Sequence, residues 1–280
     1  RELWKNLLGS KKMEFHIFFS NKNLNGIGTT RIDSIFSKAE KQKMYQIQNY
    51  AIKGHLWWQK GVLKALWSTN FKTAIFLGDM KILSNWIGIL ICRIRGKKVA
   101  FWTHGMYGNE KGLKKKIRLL FLSLADKLFL YEKRAKQIMV KHNFSKEKLY
   151  VVYNSINLKT QTAVYNDLTK IKLINKKAKP YRLLFFGRLT KIKKVNLLIP
   201  ALVSLNQKTI SYQLKIVGDG PEKQYLQSLV NKFKASQYIE FVAATYDEKE
   251  IGKLFLESDL LVSPGNVGLN AVHALSYGTP

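Results

Sequence analysis

Short apolar runs, each followed by a segment with helical apolar spacing, recur along these 280 residues. That alternation leaves few folds open. Its clearest instance is Leu183-Leu184-Phe185-Phe186-Gly187-Arg188, an apolar run stopped by glycine with an apolar-periodic segment soon after it. A run of this length bounded by Gly reads as a buried strand of a parallel sheet. In the first half, 73–78, 98–103, 127–131 and 149–153 read as strands. Helices fall over 82–94 (capped by Asp79), 114–124 and 132–142. In the second half, strands over 181–186, 213–217, 238–242 and 259–263 alternate with helices over 195–205, 222–234, 248–256 and 268–277. The reading is an α/β protein with two doubly wound, Rossmann-like domains.

Residues 13–20 read as a further strand, followed by a loop over 21–30 in which Gly26 and Gly28 make a plain turn. Trp57, Trp58, Val62, Leu63, Leu66 and Trp67 give residues 57–67 a helical spacing. The pattern fades over 158–180, which turns polar and lysine-rich before Pro180 and reads as a linker. The expected domains are therefore 1–165 and 175–280. The chain stops at Gly278-Thr279-Pro280, a helix-to-loop junction, so the second domain is expected to be incomplete.

Forty-eight Lys and Arg against 18 Asp and Glu give a formal charge of +30. Such a surface favours polyanions, anionic lipid or phosphorylated substrates. Lysine runs at 111–116 and 170–179 also read as plain solvated faces. No zinc spacing, helix-turn-helix or RNA-binding aromatic signature supports nucleic acid as the partner. Cys92 is the single cysteine and lies in an apolar run, so no disulfide framework exists and a reducing, cytoplasmic setting is expected. No signal peptide is visible, and no apolar stretch reaches the ~20 residues that span a bilayer. Residues 82–94 come nearest.

Arg188 and Lys193 fall where a strand's carboxyl end meets a helix, the place where open α/β sheets bind ligands. A forked guanidinium and a mobile ammonium suit a diphosphate; two solvated loop cations are the bland alternative. Gly218-Asp219-Gly220-Pro221 joins strand to helix in the manner of an ordinary tight turn. Ser263-Pro264-Gly265-Asn266-Val267-Gly268-Leu269 does the same ahead of a helix whose free N–H groups can cradle an anion.

Gly187-Arg188-Leu189 with Lys193, Val217-Gly218-Asp219-Gly220-Pro221, Ser258-Asp259-Leu260-Leu261-Val262-Ser263-Pro264 and Ala274-Leu275-Ser276-Tyr277-Gly278-Thr279-Pro280 occur in that order. Together they resemble the C-terminal domain of the retaining glycosyltransferases of family four. The likeness is looser in the N-terminal half, at His104-Gly105, Ala125-Asp126 and Asn154-x-Ile156-Asn157. It implies the GT-B fold, two Rossmann-like domains facing a cleft. It also implies sugar transfer from a UDP-, GDP- or ADP-sugar to a glycan or lipid-linked acceptor, with retained configuration, in cell-surface polysaccharide synthesis. By the same resemblance Arg188 and Lys193 bind the donor diphosphate, and His104 contacts the transferred sugar. Gly187, Gly218, Gly265, Asn266, Val267, Gly268, Leu269 and His273 complete the donor site. No cofactor is implied, and the lack of an Asp-x-Asp triplet speaks against an obligatory metal. Work at the inner face of the plasma membrane, as a peripheral protein on anionic lipid, agrees with the charge.

Three positions depart from that family. Gly265 and His273 stand where it usually carries two Glu, and Lys194 where it commonly has Gly. His273 can still accept from a ribose hydroxyl through a neutral ring nitrogen. Two other readings stay open: a catalytically silent scaffold subunit, and a basic nucleic-acid-binding protein.

Overall fold

A computed structural model describes residues 2–20, 36–153, 156–170, 180–207 and 211–280. The loop over 21–30, Asn154, Ser155 and the lysine run over 171–179 lie outside the described residues. The chain divides into two compact units, Arg1–Asn154 and Ser155–Pro280.

The first unit opens with α1 (Glu2–Leu8), β1 (Ile17–Ser20) and α2 (Lys38–Lys41), then β2 (Met44–Ile52) and β3 (Leu56–Lys60). β1 pairs parallel with β2, and β2 antiparallel with β3. A three-residue loop, 53–55, turns this hairpin, with Lys53 and Gly54 both at positive φ (47° and 69°) and the His55 N–H donating to Ile52 O at 3.4 Å. The helix expected over 57–67 is therefore corrected. Trp57 and Trp58 lie in β3, opposite Ala51 and Tyr50, and only α3 (Val62–Ser68) is helical. Gly61, at φ 99°, breaks the two apart where the apolar spacing alone reads as continuous. β2 mixes Gln46, Gln48 and Asn49 with Met44, Ile47, Ala51 and Ile52, and the sequence reading leaves it out.

Next come β4 (Thr73–Leu77), α4 (Leu83–Ile94), β5 (Lys98–Thr103), α5 (Gly112–Ser123), β6 (Lys127–Leu130), α6 (Lys133–Lys141) and β7 (Leu149–Val151). They form an all-parallel sheet in the order β4-β5-β6-β7. Ile82, not Asp79, precedes α4; the Asp79 carboxylate accepts the Lys81 N–H in the turn before it. Phe76, Phe101, Leu128, Leu130 and Leu149 pack against Ile89, Phe121, Leu122 and Met139 of the helices. Phe101 stacks on Phe121 with centroids 4.7 Å apart.

The second unit begins with α7 (Leu158–Lys170), inside the stretch read as a linker. That reading is corrected for 158–170: Leu168 is buried and packs with Ile251, Phe255 and Tyr277. A thin polar sequence conceals the helix because one narrow face supplies its contacts. There follow β8 (Tyr181–Phe186), α8 (Leu198–Asn206), β9 (Tyr212–Val217), α9 (Lys223–Lys232), β10 (Ile239–Val242), α10 (Glu248–Leu256), β11 (Leu260–Leu261) and α11 (Asn270–Tyr277). The parallel order is β10-β9-β8-β11. Its core is double. Phe185 and Ile216 pack with Ile199, Leu202 and Leu226 on one side, while Leu184 and Val217 pack with Phe255, Ala274 and Tyr277 on the other. This is the sheet buried on both faces that the continuous apolar run demanded. Asp247 caps α10 by accepting the Glu250 N–H at 2.9 Å.

Candidate functional site

The carboxyl ends of β8 and β9 are held together by backbone alone. Gly187 N donates to Val217 O, and Leu189 N to Asp219 O, both at 2.9 Å. Gly218 sits so close to the neighbouring turn that a β-carbon there would lie 1.9 Å from Gly187 O; at Gly220 the nearest atom would be Leu189 O, 2.4 Å away. No residue larger than Gly fits either place. Asn270, buried at the start of α11, donates its side-chain amide to Phe186 O, so the strand end is fastened to the helix beside it. Gly218 thus has a steric duty that its place in an ordinary turn sequence does not reveal.

Beyond Gly187 the chain carries exposed Arg188 and then a single 3-10 turn, Lys191–Lys193. Lys193 Nζ donates to Asn266 O at 2.5 Å and Val267 O at 3.4 Å. An ammonium has three N–H donors, so one remains for an incoming oxygen. Asn266 N donates back to Ile192 O at 3.2 Å. At Gly265 a β-carbon would stand 2.2 Å from Ile192 O and 2.7 Å from the Lys193 carbonyl carbon. The turn bearing Lys193 and the loop over 263–269 therefore press backbone against backbone, and no side chain can occupy position 265 without moving one of them. Burial lowers the Lys193 pKa, and the nearby Arg188 charge lowers it further. The two cations consequently share one electrostatic environment.

Gly268, at φ 62°, places its open side 3.8 Å from Lys193 Nζ. Leu269 then leads into α11, whose first turn has no side-chain cap. Its leading N–H groups are available to an anion, and the helix dipole favours one. Ser263 Oγ, buried at the head of the loop, has no hydrogen-bond partner among the described residues. Lys194 adopts φ 52°, the left-handed region where glycine is at ease. Two cations beside a helix start that has no side-chain cap form an arrangement that can take phosphate oxygens.

His273 turns into the unit. Its ring stacks on Phe255, with centroids 5.7 Å apart, and tilts against Phe186 at 5.9 Å. Gln161 Nε2 lies 2.8 Å from His273 Nδ1 and donates to Glu248 Oε1 at 2.9 Å. That amide nitrogen has two hydrogens, so Nδ1 is its second acceptor and the neutral ring carries its proton on Nε2. Burial depresses the His273 pKa against the opposing pull of Glu248, 3.8 Å away, which favours the neutral form. The acceptor nitrogen that the sequence offered to a ribose is thus occupied by Gln161, and the ring presents a donor instead. Tyr277 OH also donates to Glu248 Oε1, at 2.9 Å. Burial, then the Glu248 carboxylate, pushes the Tyr277 pKa far above its ordinary value. Gln161 and Glu248 were missed in the sequence. Gln161 lies in the misread linker, and nothing in its surroundings marks it.

In the first unit His104 follows β5, its ring accessible to solvent but 4.5 Å from that of Tyr131 and 5.8 Å from that of Tyr107. Packing lowers its pKa; Glu132 opposes this and Arg118 reinforces it. The loop that carries His104 is fixed by charge. Arg118 Nε donates to Gly105 O at 2.9 Å, its guanidinium lies 4.7 Å from the Tyr107 ring centre, and it pairs with Glu110 at 3.5 Å. Burial works against the Glu110 carboxylate, but N–H groups including those of Tyr107 and Gly108, aided by Arg118, outweigh it and hold the pKa down. A hollow of about 250 Å³ in the second unit lies at the amino ends of β8–β10, with Arg182, Gln213 and Tyr238 in its wall. It is at the wrong end of the strands for this chemistry, and Arg182 there already pairs with Asp259.

Residues 167–280 match the family model described as "Glycosyl transferases group 1". Over that span the chain is group 1 glycosyltransferase-like. No curated protein matches the sequence. Solved structures similar to this chain include apo WaaB, a lipopolysaccharide outer core galactosyltransferase, at 19% identity and TM-score 0.61; the match covers 100% of this chain and 73% of WaaB. HepE from Anabaena, in complex with UDP, is 18% identical at TM-score 0.58 over 86% of this chain and 67% of its own. A TarM mutant from S. aureus, in complex with fondaparinux, α-GlcNAc-glycerol and UDP, is 12% identical at TM-score 0.51, over 74% and 40%. The fold is that of the GT-B glycosyltransferases.

Proposed function

We propose that this protein transfers a sugar from a nucleoside diphosphate to a hydroxyl of a glycan or lipid-linked acceptor, with retained configuration and without a metal. What carries the reading is Lys193, its ammonium on the loop over 266–268 with one N–H unspent, Arg188 within its field, inside the region matched by the transferase family. As the sugar–phosphate bond breaks, negative charge grows on the diphosphate. The two cations and the α11 N–H groups stabilise it there, where fixed dipoles are most effective. The departing phosphate can take the acceptor's proton, so no carboxylate pair is needed. His104, neutral at pH 7, is assigned to the transferred sugar as a hydrogen-bonding group. The UDP complex of HepE makes UDP-sugars the first donors to try.

The test is Arg188→Ala against a panel of UDP-, GDP- and ADP-sugars. Arg188 is exposed, and its side chain makes no hydrogen bond or ion pair among the described residues, so unfolding stability should be unchanged. Turnover should drop by about 10²- to 10³-fold; turnover equal to that of the parent overturns the role. Gly265 and His273, in place of carboxylates, give a specific ground for a second reading, a silent scaffold. Absence of both transfer and hydrolysis across the panel would select it.

A further inference from the structure

His273 stands where a ligand at the carboxyl end of β8 would reach it. Its ring lies 5.9 Å from that of Phe186, the last residue of β8. One helical turn earlier on α11, Asn270 fastens the Phe186 carbonyl. The side chain is 13% exposed, and Nε2 has no partner among the described residues. Nδ1 points the other way, toward the amide of Gln161. Three helices converge on that inner edge. α7 supplies Gln161, 1% exposed, α10 supplies Glu248 at its first position, and α11 supplies Tyr277. One amide nitrogen serves two acceptors, Glu248 Oε1 at 2.9 Å and His273 Nδ1 at 2.8 Å. Gln161 Oε1, by contrast, is buried with no hydrogen-bond partner among the described residues. The orientation of the amide is therefore set by what its nitrogen touches.

Control runs from carboxylate to amide to ring. If the amide turned over, its carbonyl would stand 2.9 Å from Glu248 Oε1, acceptor against acceptor. If the ring instead took a proton on Nδ1, that N–H would meet the amide N–H across 2.8 Å, donor against donor. Either change exchanges a hydrogen bond for a repulsion in a buried place, where both count most. Among the described residues of α7, α10 and α11, Glu248 is the charged group that acts on the ring, from 3.8 Å; Tyr277 is a neutral phenol, and β8 presents Phe186. The attraction of Glu248 for an imidazolium is thus opposed by the amide that Glu248 itself orients. We propose that Gln161 is a positioning residue: backed by Glu248, its amide holds His273 in the one tautomer with hydrogen on Nε2, so that a ligand oxygen meets a hydrogen-bond donor there, never an acceptor or a cation. This rests on the function proposed above for the identity of the ligand, the sugar nucleotide, but not for the state of the ring.

The experiment is nitrogen NMR of the whole chain with labelled histidine, between about pH 8 and pH 5, beside donor kinetics at the upper end. In the parent, His273 should show a protonated Nε2 and a bare Nδ1, with no second tautomer, until the pH falls below the ordinary histidine range. Gln161→Leu should give a mixture of tautomers and take up its proton at a higher pH than the parent. Gln161→Glu, which offers Nδ1 an acceptor, should go further and keep the ring charged. Gln161→Leu should also raise KM for the UDP-sugar about three- to tenfold, the worth of one hydrogen bond, with kcat held. His273→Phe, which keeps the stack on Phe255, should raise KM as much, and adding Gln161→Leu to it should cost no more. A bare Nε2 in the parent, or a single unchanged tautomer in Gln161→Leu, overturns the proposal. So does a double variant whose KM rises twice over, since Gln161 then acts by another route. Where the leucine variant folds too weakly, Gln161→Glu and the parent's own spectrum give the same answer. A chain that transfers no sugar fails the function proposed above, while the histidine spectra still decide the lock.

Discussion

The two units begin from the same local device and end in different kinds of rigidity. In the first, Asp126 enters β6 by accepting the Val99 N–H at 2.7 Å and taking a forked bond from Arg93 at 2.9 and 3.1 Å. In the second, Asp259 enters β11 by accepting the Arg182 N–H at 2.8 Å and pairing with the same residue's guanidinium at 3.3 Å. Each carboxylate fastens a strand start to its neighbour. Above that shared base the units part. The second covers both faces of its sheet with core and locks its strand-end turns by backbone contact, with glycines where nothing else fits. Among the described residues, the β4–β7 sheet packs its buried core on one face, and the His104 loop is fixed by side-chain charge through Glu110 and Arg118. Backbone locking suits a site that must hold a highly charged diphosphate in one geometry. A loop fixed by ion pairs can tolerate change at less cost to the fold.

The strongest way to break this contrast is Gly218→Ala. The added carbon would overlap Gly187 O, and the left-handed φ of 152° adds strain. Together these should remove about 3 kcal/mol or more, seen as a lower urea midpoint for the second unit. Gly54→Ala in the first unit is the control: its φ is 69° and nothing lies within 4 Å, so only strain of about 1 kcal/mol is expected. Equal losses at the two sites would show that backbone interlocking contributes nothing special.

A smaller effect tests the polar network. Gln161→Leu removes the donor shared by Glu248 and His273, leaving Glu248 with Tyr277 and His273 with no partner at Nδ1. A loss of about 1–3 kcal/mol is expected. The pH dependence has a definite sign. The folded-state pKa of His273 lies below the ordinary 6.5, so the unfolded chain binds more protons across that window. Stability should therefore be full above pH 6.5, decline as pH falls through it, and level off below the folded-state pKa. His273→Gln should flatten the decline in unfolding titrations between pH 7 and pH 5. An unchanged slope would assign the decline to His104, whose pKa is lowered in the same direction.

The sequence made the second unit far more legible than the first. β8 announces itself because a strand buried on both faces must be apolar along its buried length, and Leu183–Phe186 is. β2 and β3 have partly exposed faces and mixed polarity, and the tryptophans of β3 mimic helical spacing. α7 was hidden for the same reason, since a helix attached by one narrow stripe leaves little periodicity. At the site, Arg188, Lys193 and the 263–269 loop could be picked out because anion binding by an open α/β sheet needs cations and small residues at its strand ends. Gln161 and Glu248 could not, because their partners are distant in sequence and each alone resembles a surface residue. The steric demand at Gly265 was equally invisible, since it arises from Ile192 and Lys193, more than seventy positions away.

The smallest expected effect concerns Lys194 of the second unit and Lys53 of the first, two of the three described lysines in the left-handed region, Lys234 being the third. Lys194, at φ 52°, joins the turn carrying Lys193 to the 3-10 turn before α8. Its β-carbon strain is about 1–2 kcal/mol. Replacement by Gly relieves that strain but frees the unfolded chain by about 0.5–1 kcal/mol, so the net gain should be about 0.5 kcal/mol. Lys53→Gly, at φ 47° beside Gly54, should gain less, because two adjacent glycines loosen the unfolded hairpin further. Since Lys194 is exposed and one residue from Lys193, its replacement should leave the bonds to Asn266 and Val267 in place. Donor affinity that holds steady while stability rises would mean that Lys194 is tolerated there by the backbone; a clear fall in affinity would instead make its ammonium a third cation of the site.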